Sequence, residues 1–347
     1  MKGKINIYCD MEFWKSFMDS CSNIFDISVS NKEWKEIESK RYLYSRLVED
    51  TFLHLKCSEK ELLEELERED AVYHETMRIL DQKQQARAGG EGDVLDCSYD
   101  YDNNKFPSLD SNAVYFTNNI QTRSTIEKNG CLAVSLSDLL SSRYNNERPI
   151  EVNKGQFSDW QVILNAARHT CNSLLICDSY ILNNLEDNLY PIIDLLIPND
   201  ICEVFQLTII TSEGSTFGMG EQLKRAYHDI HDHLLKSGKK TLVELVLVRT
   251  DTSQQHDRKI LSNNIYVDCS GGFDLLKKKK ATKQTTVGIS FPKFANPRDF
   301  DTYFNVIEQA KRIIRSNLVV SANNDQNDDP SGYNRIFLQS GSTQTVR

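Results

Sequence analysis

The sequence predicts an α/β protein of two domains, each a mostly parallel sheet flanked by helices. Three observations carry this. The chain has 347 residues, about twice a typical domain of roughly 150. Short apolar runs alternate with segments of helical periodicity in two separate series, and such alternation favours sheets covered on both faces. Between the series lies the polar stretch Tyr144–Gly155, with Pro149 and Gly155, which has the composition of a linker. The first domain is placed at 1–148 with a loop insertion over 88–112, the second at 156–320, and a disordered tail at 321–347.

In chain order, Ile5–Cys9 reads as a buried strand that ends at Asp10. Ser30-x-x-Glu33 and Ser58-x-x-Glu61 are capping-box patterns and predict helices over about 32–55 and 59–86. Ala88-Gly89-Gly90 stops the second of these, and the polar segment after it carries no sustained period. Ala113–Thr117 is a strand, Ser124–Lys128 a short helix, Cys131–Val134 a strand, and Ser137–Arg143 a closing helix. In the second series, Ser158-x-x-Gln161 opens a helix to about Cys171. Leu174–Cys177 is a strand, Leu182–Leu196 a helix, Phe205–Thr211 a strand, Met219–Lys236 a helix and Leu242–Val248 a strand. Strands near Ile265–Val267 and Thr286–Phe291 follow, and Asn296-Pro297 starts a helix to about Asn317. The stretch from Ser321 is too polar to bury a core.

Composition excludes several classes of function. No run approaches the roughly 18 apolar residues of a membrane span, and nothing after Met1 reads as a signal peptide, so a cytoplasmic location is expected. The nine cysteines are scattered without a C-x-x-C pair, which supports neither a disulfide framework nor a zinc ribbon. A net charge of −9 argues against nucleic-acid binding by the whole surface and leaves it to a local basic patch. Lys277-Lys278-Lys279-Lys280, with Lys283, is such a patch. A solvated loop is the alternative reading of it. His228-x-x-His231-x-His233 is metal-compatible in spacing, but an exposed amphipathic helix explains it better. The run Glu59–Asp70 reads as a charged helix face, and Gly214–Gly220 lacks the spacing and the Lys of a phosphate loop.

The segment His256-Asp257-Arg258-Lys259-Ile260-Leu261-Ser262-Asn263, a strand, and then Ser270-Gly271-Gly272-Phe273-Asp274 resembles the phospholipase-D-like fold. Within it the likeness is to the C-terminal domain of MIT-domain proteins and their bacterial relatives. Leu175-Ile176-Cys177-Asp178-Ser179-Tyr180-Ile181 is similar to that family's strand ending in D-P-Y-I, and the resemblance spans about 157–317. It implies that His256 stands where the nucleophile attacks phosphorus, Arg258 where a Lys neutralises phosphate oxygens, and Asn263 where an Asp orients the pair. Arg binds phosphate bidentately, whereas Asn cannot stabilise a charged imidazole as a carboxylate does. One motif in the chain implies a homodimer that pairs two copies of His256, or a lost chemistry that leaves phosphate or partner binding. Arg258, Lys259 and Lys277, Lys278, Lys279 and Lys280 are the candidate phosphate-binding residues, with no cofactor in this domain. A buried polar network of His256 and Arg258 is the structural alternative.

The strand ending at Asp10, the strand Val114-Tyr115-Phe116 before Thr117-Asn118-Asn119, and Asn129-Gly130-Cys131 before a last strand resemble the PIN-domain nucleases. That family holds Mg²⁺ or Mn²⁺ between carboxylates at strand ends. The resemblance implies that Asp10 is catalytic and a metal ligand, with Asn119 where an acid is expected. Glu61, Glu64, Glu65 and Asp110 are candidates for the middle acids, and Asp10 as a strand-end cap is the alternative. Together the two likenesses imply a nucleic-acid-directed protein, a phosphodiester-cleaving nuclease of a bacterial stress or anti-phage module. The competing reading is a catalytically dead adaptor that binds phosphate or a partner protein from the same module and dimerises through its second domain. Association with a membrane is disfavoured by the acidic total.

Overall fold

A computed structural model of the chain describes residues 5–21, 37–38, 40–41, 43–44, 51–56, 64, 109–110, 112–141, 144, 149–212, 221–250, 258–294, 297–321 and 330–339. The architecture is alternating α/β, with one parallel and one mixed sheet flanked by helices. The chain divides into an N-terminal unit, 4–126 with 131–142, and a C-terminal unit, 1–3 with 127–130 and 143–347.

In the N-terminal unit, β1 (Ile5–Asp10) pairs in parallel with β2 (Thr51–Lys56) on one side and β3 (Val114–Phe116) on the other. β4 (Leu132–Val134) lies beyond β3, also parallel, in the order β2-β1-β3-β4. Alternation buries Ile5, Ile7 and Cys9 and turns Tyr8 to the other face. There the Tyr8 ring stacks between His54 of β2 at 4.4 Å and Tyr115 of β3 at 5.0 Å. Cross-strand rings of this kind pin the register. The helices α1 (Met11–Ser20), α2 (Ile120–Lys128) and α3 (Leu136–Leu140) each follow a strand. In α1 the buried Phe13, Trp14, Phe17 and Met18 form one apolar stripe at helical spacing.

Two expectations fail here. The helix over 32–55 does not reach its end, because 51–56 is β2. Parallel pairing with β1 and burial of Leu55 outweigh helix propensity in so short an apolar run. No element was expected at Met11–Ser20, where α1 lies. The helix over 59–86 and the loop insertion 88–112 fall almost wholly outside the described residues.

The C-terminal unit holds, among the described residues, an eight-stranded sheet in the order β14-β8-β7-β6-β9-β10-β13-β5. Its strands are β5 (Ile150–Val152), β6 (Ser173–Cys177), β7 (Phe205–Ser212), β8 (Val243–Thr250), β9 (Lys259–Ser262), β10 (Tyr266–Cys269), β13 (Thr285–Ser290) and β14 (Val319–Ser321). A separate hairpin pairs β11 (Leu276–Lys277) with β12 (Lys280–Ala281). Only β6–β7 and β7–β8 are parallel, and the other five pairings are antiparallel. The expectation of a mostly parallel second sheet is therefore corrected. β6, β7 and β8 are joined through α5 (Tyr190–Leu196) and α6 (Glu221–Lys236), long enough to bring the chain back in the same direction. Three residues join β9 to β10 and reverse it.

Other boundaries move for similar reasons. The stretch read as a linker supplies β5, which pairs with β13, and Tyr144 packs against Phe291 and Phe294. Asp159, not Ser158, caps α4 (Trp160–Ile163), which ends well short of Cys171 in a 3₁₀ turn at Asn165–Ala167. The long helix α7 (Pro297–Ser316) covers one face of the sheet with Tyr303, Ile307, Ala310 and Ile314. The expected disordered tail contains two ordered 3₁₀ turns, Pro330–Gly332 and Arg335–Gln339, whose Tyr333, Ile336 and Phe337 enter the same core. Its apolar residues are too few to register in composition, yet they sit where a hydrophobic face needs covering.

Among the described residues no helix is long and apolar enough to cross a membrane. Among the described residues, Cys9, Cys21, Cys131, Cys171, Cys177, Cys202 and Cys269 form no disulfide, and burial pushes Cys171 up to about 12. All but the exposed Cys202 are buried, packed side chains.

Candidate functional site at the end of the second sheet

Register places the site. β6 and β9 pair Cys177 with Lys259, and β9 and β10 pair Lys259 with Asp268. The C-terminal ends of β6 and β10 and the N-terminal end of β9 therefore emerge side by side. Asp178 follows the wholly buried β6 and is itself fully buried. Its carboxylate accepts the Tyr180 N–H at 2.7 Å and the Phe273 N–H at 2.6 Å, so it ties the end of β6 to the turn after β10. Burial pushes this carboxyl above its ordinary value, the two N–H bonds oppose that, Asp274 adds to it, and Arg258 pulls it down.

The turn after β10 is Ser270-Gly271-Gly272-Phe273-Asp274. Gly272 has φ +88°, and a Cβ there would stand 2.9 Å from Arg258 Cδ and 3.1 Å from Arg258 Nε. Glycine thus serves both the left-handed backbone and the close passage of the Arg258 stem over the turn. Nη1 of Arg258 donates to the Ser270 carbonyl at 2.8 Å. Asp274 pairs with Lys283. Lys259, which follows Arg258, projects to the opposite face of the strand. Its ammonium pairs with Asp268 at 2.8 Å and lies 5.3 Å from the Tyr266 ring. Burial works to lower this group, but hydrogen bonds to Asp268 and Tyr266 overcome it and hold it above an ordinary lysine.

Of the residues expected to act together, Arg258 stands at this strand end, while His256 lies outside the described residues. Asn263 does not stand at this strand end. It follows the far end of β9, roughly 15 Å along the strand at about 3.3 Å per residue. Fully buried, its Oδ1 accepts the N–H groups of Asn172 at 3.2 Å and Ser173 at 3.0 Å. Asn263 serves the start of β6. Lys277–Lys280 form the exposed β11–β12 hairpin, on the same connection as the glycine turn. Asp178, Gly272 and Asp274, quoted above only as part of a motif, belong to the site. The signal for Asp178 was an acid directly after five consecutive apolar or small residues.

In the N-terminal unit the polar residues at strand ends act as helix caps. Asp10 accepts the Phe13 N–H at 2.7 Å and starts α1. Asn119 accepts the N–H groups of Gln121 and Thr122, both at 3.0 Å, and starts α2. Ser135 accepts the Asp138 N–H at 3.2 Å and starts α3. Asp110 is not beside Asp10. It bonds Asn6 at 3.0 Å, toward the other end of β1, and so drops out as a companion acid. Glu64 is an exposed helical residue, and Glu61 and Glu65 lie outside the described residues. Among the described residues no group of three or more His, Cys, Asp or Glu side chains comes together that could hold a metal ion. On α6, His233 pairs with Asp194 at 3.0 Å and stacks on Tyr190 at 3.8 Å, and His231 lies parallel to Tyr227.

The cap role of Asp10 separates two kinds of substitution. Asp10→Ala should lower stability by about 1 kcal/mol through loss of the cap, while Asp10→Asn, an equally good cap, should melt within a degree or two of the parent. Thermal melts of both, with and without Mn²⁺, check this. A Mn²⁺-dependent rise in melting temperature that Asp10→Asn abolishes would show that the carboxylate holds metal. No protein-family model matches the chain, and no curated protein is significantly similar to it.

Proposed function

We propose that the chain recognises phosphodiester groups of nucleic acid through a phospholipase-D-like C-terminal unit, beside a PIN-like N-terminal unit. It acts as a binding adaptor, with Arg258 as its anion-binding side chain. The observation that carries this reading is the Arg258 stem laid across Gly272 where β6, β9 and β10 end together. One donor, Nη1, is bonded to Ser270, which fixes the plane of the guanidinium. A planar fork held this way matches two phosphate oxygens at once. Binding is favoured over cutting because the family's acid position holds Asn263, an amide whose Oδ1 is taken by the backbone N–H groups of Asn172 and Ser173.

The test is fluorescence anisotropy with labelled single- and double-stranded DNA and RNA, run beside a cleavage assay in Mg²⁺, Mn²⁺ or EDTA. Arg258→Ala should weaken binding at least about tenfold, equivalent to about 1.4 kcal/mol. Asn263→Asp, which rebuilds the family pattern, should gain no cleavage. Unchanged binding by Arg258→Ala would overturn the reading. Cleavage in EDTA that His256→Ala abolishes would replace it with a phospholipase-D-type nuclease. Metal-dependent cleavage lost in Asp10→Ala would move the chemistry to the N-terminal unit.

A further inference from the structure

The β11–β12 hairpin is built at an energetic disadvantage. Its two-residue tip, Lys278–Lys279, has φ +48° and +59°. Positive φ at both positions is the type I′ turn, whose preferred residues are Asn and Gly. Among the described residues these two lysines are the only non-glycine residues with positive φ. Lys277, Lys278, Lys279 and Lys280 are all exposed, so four ammonium groups also repel one another across one small turn.

The surrounding structure holds the hairpin in place. Asn188 clasps Leu276 by both backbone groups, donating to its carbonyl at 3.0 Å and accepting its N–H at 2.9 Å. The Ser158 N–H donates to the Lys279 carbonyl at 2.9 Å, and the Ala281 N–H to the Gln156 carbonyl at 2.9 Å. Asp159, the cap of α4, takes the Lys279 ammonium at 3.1 Å. Asp187 is held below the ordinary carboxylate value first by the Asn184 amide and then by the Lys278 backbone N–H. Two carboxylates thus face four ammonium groups, and the excess is positive. Phe157 bridges directly to Lys280 across the neighbouring strand, and its side chain is 69% exposed. A strained, over-determined conformation of this kind marks a functional element.

We propose that the Lys277–Lys280 hairpin and Phe157 form a docking ridge for single-stranded nucleic acid. Phosphates lie along the lysines and an unstacked base lies on the Phe157 ring. The inference rests on the nucleic-acid reading above and adds to it the form of the ligand. A duplex keeps its bases stacked and offers nothing to Phe157, whereas a single strand offers both partners. An anionic membrane is less well matched. One exposed aromatic ring beside a rigid hairpin inserts little apolar area, and membrane affinity scales with that area. The ridge also runs directly into the glycine turn, since Lys283 just beyond it pairs with Asp274. A strand bound along it is led toward Arg258.

The experiment measures anisotropy of labelled oligo-dT with the full chain over a range of salt concentrations. The double variant Lys278→Asn with Lys279→Gly keeps the turn in its preferred residues while removing two charges. It should melt no lower than the parent, bind more weakly, and reduce the slope of log K against log salt by about 1.4, at roughly 0.7 per lost phosphate contact. Phe157→Ala should weaken binding at least about fivefold with the salt slope unchanged. If Arg258→Ala abolishes binding while the hairpin and Phe157 variants bind as the parent does, the ridge is overturned and the nucleic-acid reading stands. If the parent binds no oligonucleotide of either kind, both fall. Preference for duplex over oligo-dT, or for phosphatidylserine vesicles over either, would also overturn the ridge.

Discussion

Phe337→Ala should destabilise the C-terminal unit by about 3–5 kcal/mol, the usual range for emptying a buried phenylalanine site. At about 2–4 °C per kcal/mol for a unit of this size, the melting temperature falls by roughly 6–20 °C. Phe337 is 2% exposed and packs in one cluster with Leu175, Ile210, Val246, Leu261 and Tyr303, contributed by four strands and α7. Hydrogen bonds lock the same segment. Asn334 Nδ2 donates to the Leu174 carbonyl at 3.0 Å and to Thr208 Oγ1 at 3.2 Å, and Thr208 Oγ1 donates in turn to the Tyr333 carbonyl at 3.0 Å. Truncation after Ser321 removes the whole set and should leave a species that binds a hydrophobic dye and melts without a sharp transition. Calorimetry of both variants checks this. A Phe337→Ala protein that melts within 2 °C of the parent would show that the segment is not docked.

Asp178→Asn should cost about 3 kcal/mol despite being nearly isosteric. The carboxylate offers an acceptor to each of two N–H groups, Tyr180 and Phe273. An amide offers one acceptor and turns its own N–H₂ against the second donor, which is then buried and unpaired. Asp178→Ala, which leaves both N–H groups buried without an acceptor, should cost at least as much. The pH dependence has a defined sign. Burial raises the folded-state pKa above the ordinary 3.8, so the folded protein binds this proton more tightly than the unfolded chain. The contribution of Asp178 to stability is therefore fullest below that ordinary value and declines as pH rises through the raised one. Denaturant melts from acid to neutral pH should show that decline in the parent and lack it in Asp178→Asn. An identical slope in the two proteins would remove Asp178 as its source.

Much of the strand content was legible because it is local. β1, β3, β4, β6, β7 and β8 are short apolar or alternating runs ended by polar or glycine residues, and each lies within a few residues of its expected place. The helix pattern at Phe13, Trp14, Phe17 and Met18 was equally local and was passed over in α1. Of the candidate site, Arg258 and the glycine turn stood out because the H-x-R segment, the strand and the glycine turn after it resemble the motif of a known family. What Asn263 does was not legible, because its Oδ1 serves the N–H of Ser173, which lies 90 residues away in the chain.

By itself the sequence determined where β1, β3, β4, β6, β7 and β8 form, that buried cysteines pack as small apolar groups, and that the basic charge is concentrated at Lys277–Lys280. Periodicity, caps and turn residues act over a few positions, so they can be read without knowing any partner. Only the tertiary structure decided that 51–56 is a strand, that Ile150–Val152 and Val319–Ser321 are sheet edges, and that Tyr333, Ile336 and Phe337 close a core. It also decided that Asp10 caps α1 and that Asp178 joins β6 to the Gly272 turn. Each of these depends on which distant surface is left uncovered or which distant N–H is left unpaired, and burial over such separations is settled by the assembled sheet rather than by neighbours in the chain.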